Sequence, residues 1–376
     1  MTEHEFMASA LWQSTLEARD RQDDHAQQRA RLRTSYLSLR EHAKVLMGEA
    51  PRDGLQFTVH DITHVDALWE TADLVCGSEN RLTPAEAYVL GCAFVLHDAA
   101  MSLAAYKEGL PAAVGEQEWR DLLAVTYFNH EGSWPTTEQL DAAPEGVVDS
   151  CYAQAIRETH PAHAKRLVDQ QWESSAGNQI HLIQDTGLRE AYGPLIGDLA
   201  ASHWWDVNDL VAPFKRSKGS LPSQPAEWII DPLKLACILR LADATQIDSR
   251  RAPTFLLALR QPKGQSLRHW RFQEHMSRPR LDDDRITFTA MRPFDQEGAD
   301  AWWLALTYLR DVDRELKKVD ALLHDLGHAR LAARAVAGVD SEERFAELFP
   351  VSGWRPVDAV LQISDTTRLV ETLGAP

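Results

Sequence analysis

Residues 94–102 read FVLHDAAMS, a His-Asp pair, His97 and Asp98, closing an apolar run that begins at Ala87. Ahead of that run, Thr83-Pro84-Ala85-Glu86 has capping-box spacing, in which a hydroxyl and a carboxylate three residues apart satisfy each other's backbone N–H. The stretch therefore reads as a helix with the pair at its far end. A His-Asp dipeptide is weak evidence alone, since about one is expected by chance in a chain of this composition. This chain has three: His60-Asp61, His97-Asp98 and His324-Asp325. Chemistry has to choose among them.

Outward from this helix the pattern stays helical. Residues 8–48 read as helical and mostly solvated, with Leu32, Tyr36, Leu39, Ala43 and Leu46 at spacings of three and four. APRDG (50–54) breaks that segment, and helical periodicity then continues to about residue 250, interrupted by loops around NHEGSWPTTEQ and FKRSKGSLPSQP. After Arg251, TFLLALR and RITFTAM are short, apolar and bounded by Pro, Gly and Asp, which predicts a small antiparallel sheet or hairpin within 253–292. Helical periodicity returns over 299–326, and 353–376 reads as a strand and a short helix. The expected class is mainly α, with a small antiparallel β insertion near 253–292 and a short α/β C-terminal tail. The segments are 1–52 (N-terminal helical), 53–252 (core), 253–296 (β-rich insertion), 297–340 (helical, packing on the core) and 341–376 (linker or docking).

Composition narrows the function. A chain of 376 residues with 44% hydrophobic and 25% charged residues is ordinary for a soluble globular protein. No stretch of about 18 apolar residues occurs, and MTEHEFMASALWQ lacks the core of a signal peptide, so a cytoplasmic protein without membrane contact is expected. The four cysteines form no Cys-x-x-Cys, which argues against a thiolate zinc site; Cys92 and Cys237 lie in apolar runs and read as core. A net charge of -17 opposes a general nucleic-acid surface but not a nucleotide held by a metal and a few arginines.

A phosphohydrolase metal site of His and Asp needs ligands from several helices, because one helix face cannot surround an ion. His97-Asp98 meets this condition: His64 precedes it on a helix with apolar Val65, Leu68 and Ala72, and His160, His203 and Asp243 follow on separate helical segments. His324-Asp325 sits on a highly charged helix, followed by no histidine except His328, and reads as a solvated helix end. Asp61 reads as the cap of the His64 helix. His60 is placed to reach the site as a proton donor, and His163, on the same face as His160, is a further catalytic candidate. The Trp204-Trp205 and Trp302-Trp303 pairs read as core.

The order His, His-Asp, His, His, Asp, carried by THVDALWETA, AFVLHDAAM and LRLADATQID, resembles the HD superfamily of metal-dependent phosphohydrolases. The resemblance implies an HD-type helical bundle over 53–252, with His64, His97, Asp98 and Asp243 as metal ligands and Asp98 able to bridge two ions. It implies that His160 and His203 belong to a second ion. HD-GYP phosphodiesterases have a His-His pair where this chain has His203-Trp204, and the Gly-Tyr-Pro is absent. The stretches FTVHDITH, GWRPVD and SDTTRLVETLG are similar to bacterial HD-type domains that precede a GHKL-type ATPase module, which implies such a module or partner.

Mixed imidazole and carboxylate ligands suit one or two divalent ions among Mn, Fe, Co, Ni, Zn and Mg. Arg157, one turn before His160, and Arg250 and Arg251, about two turns after Asp243, are the phosphate-binding candidates. Three functions stay open: hydrolysis of a nucleotide, foremost a (deoxy)nucleoside triphosphate; a phosphodiesterase acting on an oligonucleotide or cyclic nucleotide; and a non-catalytic nucleotide sensor regulating a GHKL ATPase. A homo-oligomer is compatible with each.

Overall fold

A computed structural model of the chain describes residues 5–17, 23–50 and 58–357. Its centre is the helix that starts at the capping box: Thr83 Oγ1 accepts from the Glu86 N–H at 3.1 Å, and Glu86 Oε2 accepts from the Thr83 N–H at 2.9 Å. This helix, Pro84–Leu96, is buried on every side, as an all-round apolar helix must be in a soluble protein.

In chain order the helices before it are α1 (Ala10–Thr15), α2 (Ala26–Met47) and α3 (Ile62–Cys76), and it is itself α4. Then come α5 (Leu110–Val114), α6 (Glu116–Glu131), α7 (Thr137–Asp141), α8 (Glu145–Arg166), the hairpin β1 (Gln171–Glu173) and β2 (Gln179–His181), and α9 (Thr186–Ser202). They are followed by α10 (Val211–Phe214), α11 (Pro232–Thr245), α12 (Thr254–Arg260) and α13 (Gly264–His275). The strands β3 (Arg280–Asp282) and β4 (Arg285–Thr287) form an antiparallel hairpin, α14 (Ala299–Asp325) follows, β5 (Ala335–Val336) pairs parallel to β4, and α15 (Glu342–Leu348) follows it. The architecture is mainly α, as expected; of its two small sheets, the β1–β2 hairpin falls in a stretch read as helical, and β5 joins the other from outside 253–292.

Two helical segments depart from expectation. TFLLALR is helix α12: a short apolar run carries no period of its own; its leucines, alanine and arginine are good helix formers, and Gln261 in the left-handed region (φ 45°) ends it. The antiparallel hairpin lies further on, at 280–287. The N-terminal helix is not mostly solvated, because Leu32, Tyr36, Leu39, Ala43 and Leu46 of α2 are all buried and Arg40 is buried in a two-pronged pair with Asp66 at 2.6 and 2.8 Å. Helix α14 buries one face, including Trp302, Leu306, Leu309, Val312 and Leu316, and so packs on the bundle. Of the C-terminal reading, residues 358–376 lie outside the described residues.

Two glycines set how closely the site-bearing helices approach. At Gly91, in the middle of α4, a Cβ would stand 2.5 Å from the Trp69 ring and 2.9 Å from the Tyr36 ring. At Gly197 of α9 it would stand 2.9 Å from the Lys165 carbonyl of α8. Gly91→Ala is expected to lower stability by about 1–3 kcal/mol through overpacking, read as a drop in the denaturation midpoint; an unchanged midpoint would show that the rings shift freely.

Candidate metal centre

Helix ends build this site. His97 is the C-cap of α4, His203 is the C-cap of α9, and Asp243 lies in the last turn of α11. His64 enters from the first turn of α3 and His160 from the last turns of α8. Three helix C-termini, each carrying partial negative charge, thus meet at one point, which favours a cation there.

The same ends orient the imidazoles. The last carbonyls of a helix have no N–H partner within it. His97 Nδ1 donates to the Phe94 carbonyl at 2.8 Å, and His203 Nδ1 to the Ala200 carbonyl at 2.6 Å. In α8 a proline does this work. Pro161 has no N–H to give to the Arg157 carbonyl, and His160 Nδ1 donates to that carbonyl instead, at 2.9 Å. His64 Nδ1 donates to Gln246 Oε1 at 2.7 Å. With each Nδ1 engaged by its acceptor, it is the Nε2 of each ring that faces the centre, where it can ligate an ion that takes the place of its proton. The His-Pro dipeptide at 160–161 was a legible sign of this orientation that the sequence reading did not use.

The Nε2 atoms fall into two sets that share Asp98. His64 and His97 approach within 3.4 Å of each other and each lies 3.4 Å from Asp98 Oδ2, with Asp243 Oδ1 at 3.3 and 3.6 Å. His160 and His203 approach within 3.2 Å, with His160 3.9 Å from the other oxygen, Asp98 Oδ1. Both sets have the make-up of a metal site. Paired lone pairs at such distances repel unless a cation or a proton lies between them. Donors about 2.0–2.2 Å from a common ion stand about 3.0–3.5 Å apart, so the spacings of 3.2–3.4 Å fit divalent ions, with His97–Asp243 and His160–Asp98 standing wider at 3.6 and 3.9 Å.

The electrostatics point the same way. Burial pushes the His97 imidazolium down, but the Asp98 carboxylate, with Asp243 behind it, outweighs burial and lifts His97 to about 10. Burial likewise disfavours the Asp98 and Asp243 carboxylates, yet both are held well below the usual range, Asp98 by the His97 charge and by hydrogen bonds from His64 and His97, Asp243 chiefly by hydrogen bonds from those two histidines. Burial, then the His97 charge, drives His203 down to about 3, and burial lowers His160. The pocket retains two carboxylates and favours positive charge between them.

The model of the HD-CE family matches residues 55–318. The chain belongs to the HD-CE family. Comparison with curated proteins and with solved structures gave no match. No helix among the described residues is long and apolar enough to cross a membrane. An HD-type domain with a buried His/Asp cluster suited to a divalent ion points to a metal-dependent phosphohydrolase.

In this HD-CE chain, Asp98 and Asp243 of the first set and Asp98, His160 and His203 of the second line a cavity of about 360 Å³, with His64 and His97 buried behind them. Of the anticipated cations, Arg157 and Arg251 line it. Arg251 Nη1 rests 2.9 and 3.1 Å from the ring nitrogens of His64 and 3.8 Å from Asp243. Arg250 does not line it: it turns away to pair with Asp248 at 2.6 Å and Glu70 at 2.8 Å, which corrects its phosphate role. His60 reaches the cavity, but its Nδ1 bonds the Thr58 carbonyl at 2.6 Å and its Nε2 accepts from Arg251 at 2.8 Å. Burial, then the Arg251 charge, lowers His60 to about 3, so it is a neutral imidazole whose one N–H is committed to Thr58 and whose free lone pair is committed to Arg251. His163 also departs from its catalytic reading: its Nε2 bonds the Ala105 carbonyl at 2.9 Å and its ring stacks on Tyr106 at 4.1 Å, away from the ligands.

His324 and Asp325 are exposed at the end of α14, and Asp61 caps α3 by accepting from the Thr63 N–H at 2.8 Å, as read. All four cysteines are buried and free. Trp302 is core, whereas Trp204 is 57% exposed and lines the cavity. Ser266, His269, Gln273 and Tyr308 also line it and were missed. The three on α13 recur at spacings of three and four, a polar stripe that the β reading of 253–292 concealed.

The second set gives a direct prediction. His203→Ala is expected to reduce bound metal from two ions per chain to one, measured by element analysis. A parent protein already holding a single ion would reject the second set.

Proposed function

We propose that this chain hydrolyses a nucleotide at the shared-Asp98 centre, with a (deoxy)nucleoside triphosphate as the substrate. The observation that carries the reading is that Arg157 and Arg251 line the same cavity as Asp98, Asp243, His160 and His203. His64, His97, Asp98 and Asp243 would hold one ion, and Asp98, His160 and His203 a second. Divalent ions there supply Lewis acidity toward a phosphoryl oxygen and make water a competent nucleophile at neutral pH.

The chain's own residues do the rest. The Nδ1 bonds of the histidines fix their rings, so that the donor set is formed before the substrate arrives. Arg251, which donates to His60 Nε2 at 2.8 Å and lies 3.8 Å from the Asp243 carboxylate, presents a fixed cation to the phosphate chain. Arg157 adds a second, and guanidinium groups match phosphate oxygens two at a time. Fixed charges of this kind need no reorganisation as negative charge develops.

The test is metal analysis of purified protein, followed by a nucleotide panel scored for released phosphate, pyrophosphate and triphosphate with Mn, Fe, Co, Ni, Zn and Mg. Release of triphosphate from a nucleoside triphosphate is expected. Tight nucleotide binding without product under every metal would favour the sensor function.

A further inference from the structure

Two atoms that line or adjoin the cavity are fully buried and have no partner among the described residues: Nε of Arg251 and Oε1 of Gln273. The first is a cationic donor on the metal side. The second is a neutral acceptor on the wall formed by α13, where the Gln273 side chain belongs to a residue only 4% exposed. Leaving such an oxygen without a donor is unfavourable, and buried polar groups in folded proteins are nearly always satisfied. Gln273 is held where it is by its neighbours: Trp270 and Phe272 are fully buried on the protein side of α13, and the Met276 N–H bonds the Gln273 carbonyl at 3.1 Å.

On the cavity side, Ser266, His269 and Gln273 stand at i, i+3 and i+7 of α13 and therefore share one face. Burial, then the charge of Arg157, lowers the His269 pKa, so this stripe is polar and uncharged at neutral pH. It does not match a phosphate chain, which the arginines serve. It matches the nucleoside part. Trp204 adds an exposed indole at the cavity, held edge-on by the His160 ring at a centroid distance of 5.3 Å, and an indole face suits a flat base.

We propose that α13 is the substrate-selecting wall of this site, with the Gln273 carboxamide accepting a hydrogen bond from an O–H or N–H group of the nucleoside. The proposal rests on the nucleotide reading above. A sugar hydroxyl and a base amino group offer the same chemistry to Gln273, and the experiment separates them.

The probes are 5′-methylenephosphonates of the four common nucleosides, which have no bond the site can hydrolyse, with methylphosphonate as the bare anion. Binding to the purified full chain is measured by calorimetry. At least one nucleoside phosphonate is expected to bind about tenfold or more tightly than methylphosphonate, and Gln273→Leu to remove that advantage while leaving methylphosphonate unchanged. In the parent protein, removing either the sugar hydroxyls or the exocyclic amino group from that probe is expected to cost a similar factor, and the deletion that does so names the donor. Unchanged binding in Gln273→Leu would overturn the proposal. Should that variant not fold, equal binding of all donor-deleted probes by the parent protein would overturn it as well. Nucleosides that add nothing to the bare anion refute the α13 wall alone, whereas failure of every phosphonate to bind refutes the nucleotide reading with it.

Discussion

Asp98→Ala is expected to empty both metal positions and to lower kcat/KM by about a thousandfold or more, beyond the loss of one stabilising donor. Asp98 is the one residue common to both ligand sets, its Oδ2 facing His64 and His97 and its Oδ1 facing His160. Removing any single histidine leaves one set whole. Removing Asp98 leaves two histidine clusters without the carboxylate that concentrates negative charge between them. His324→Ala and Asp325→Ala, made in the other His-Asp pair, are expected to change neither metal content nor turnover, because both residues are exposed at a helix end. Element analysis and steady-state kinetics on the same preparations check this, and full metal content in Asp98→Ala would reject the bridging role.

Adjacent arginines provide the second large effect. Arg251→Ala is expected to lower kcat about a hundredfold or more with metal content unchanged, the loss of a fixed cation costing about 2.7–4 kcal/mol of transition-state stabilisation. Arg250→Ala is expected to do the reverse. Its partner Asp248 is fully buried, and a buried carboxylate left without its arginine costs about 3–5 kcal/mol of stability. Thermal denaturation should therefore separate Arg250→Ala from the parent protein, while turnover per folded molecule stays near the parent value. Equal kinetic losses in the two variants would mean that the distinction between them has no functional content.

The candidate metal ligands were legible in the chain because each lies at a landmark that local physics marks. Thr83 and Glu86 start α4 and an apolar run carries it to His97-Asp98; the inward stripe of α3 carries His64; and LRLADATQID places Asp243 before a helix stop. Order along the chain then groups them without reference to packing. Neighbouring residues are another matter. Successive side chains on a helical turn point about 100° apart, so Arg250 and Arg251, or His203 and Trp204, face different surroundings, and only the bundle decides which surroundings are cavity. Arg251 faces the ligands because Asp248 and Glu70 draw Arg250 the other way. The selecting wall was the least legible part, since TFLLALR and the segment after it carry too few turns to announce a helix. Packing of α13 against α14, through buried residues such as Phe272, makes that segment helical and aims Ser266, His269 and Gln273 at the metal centre.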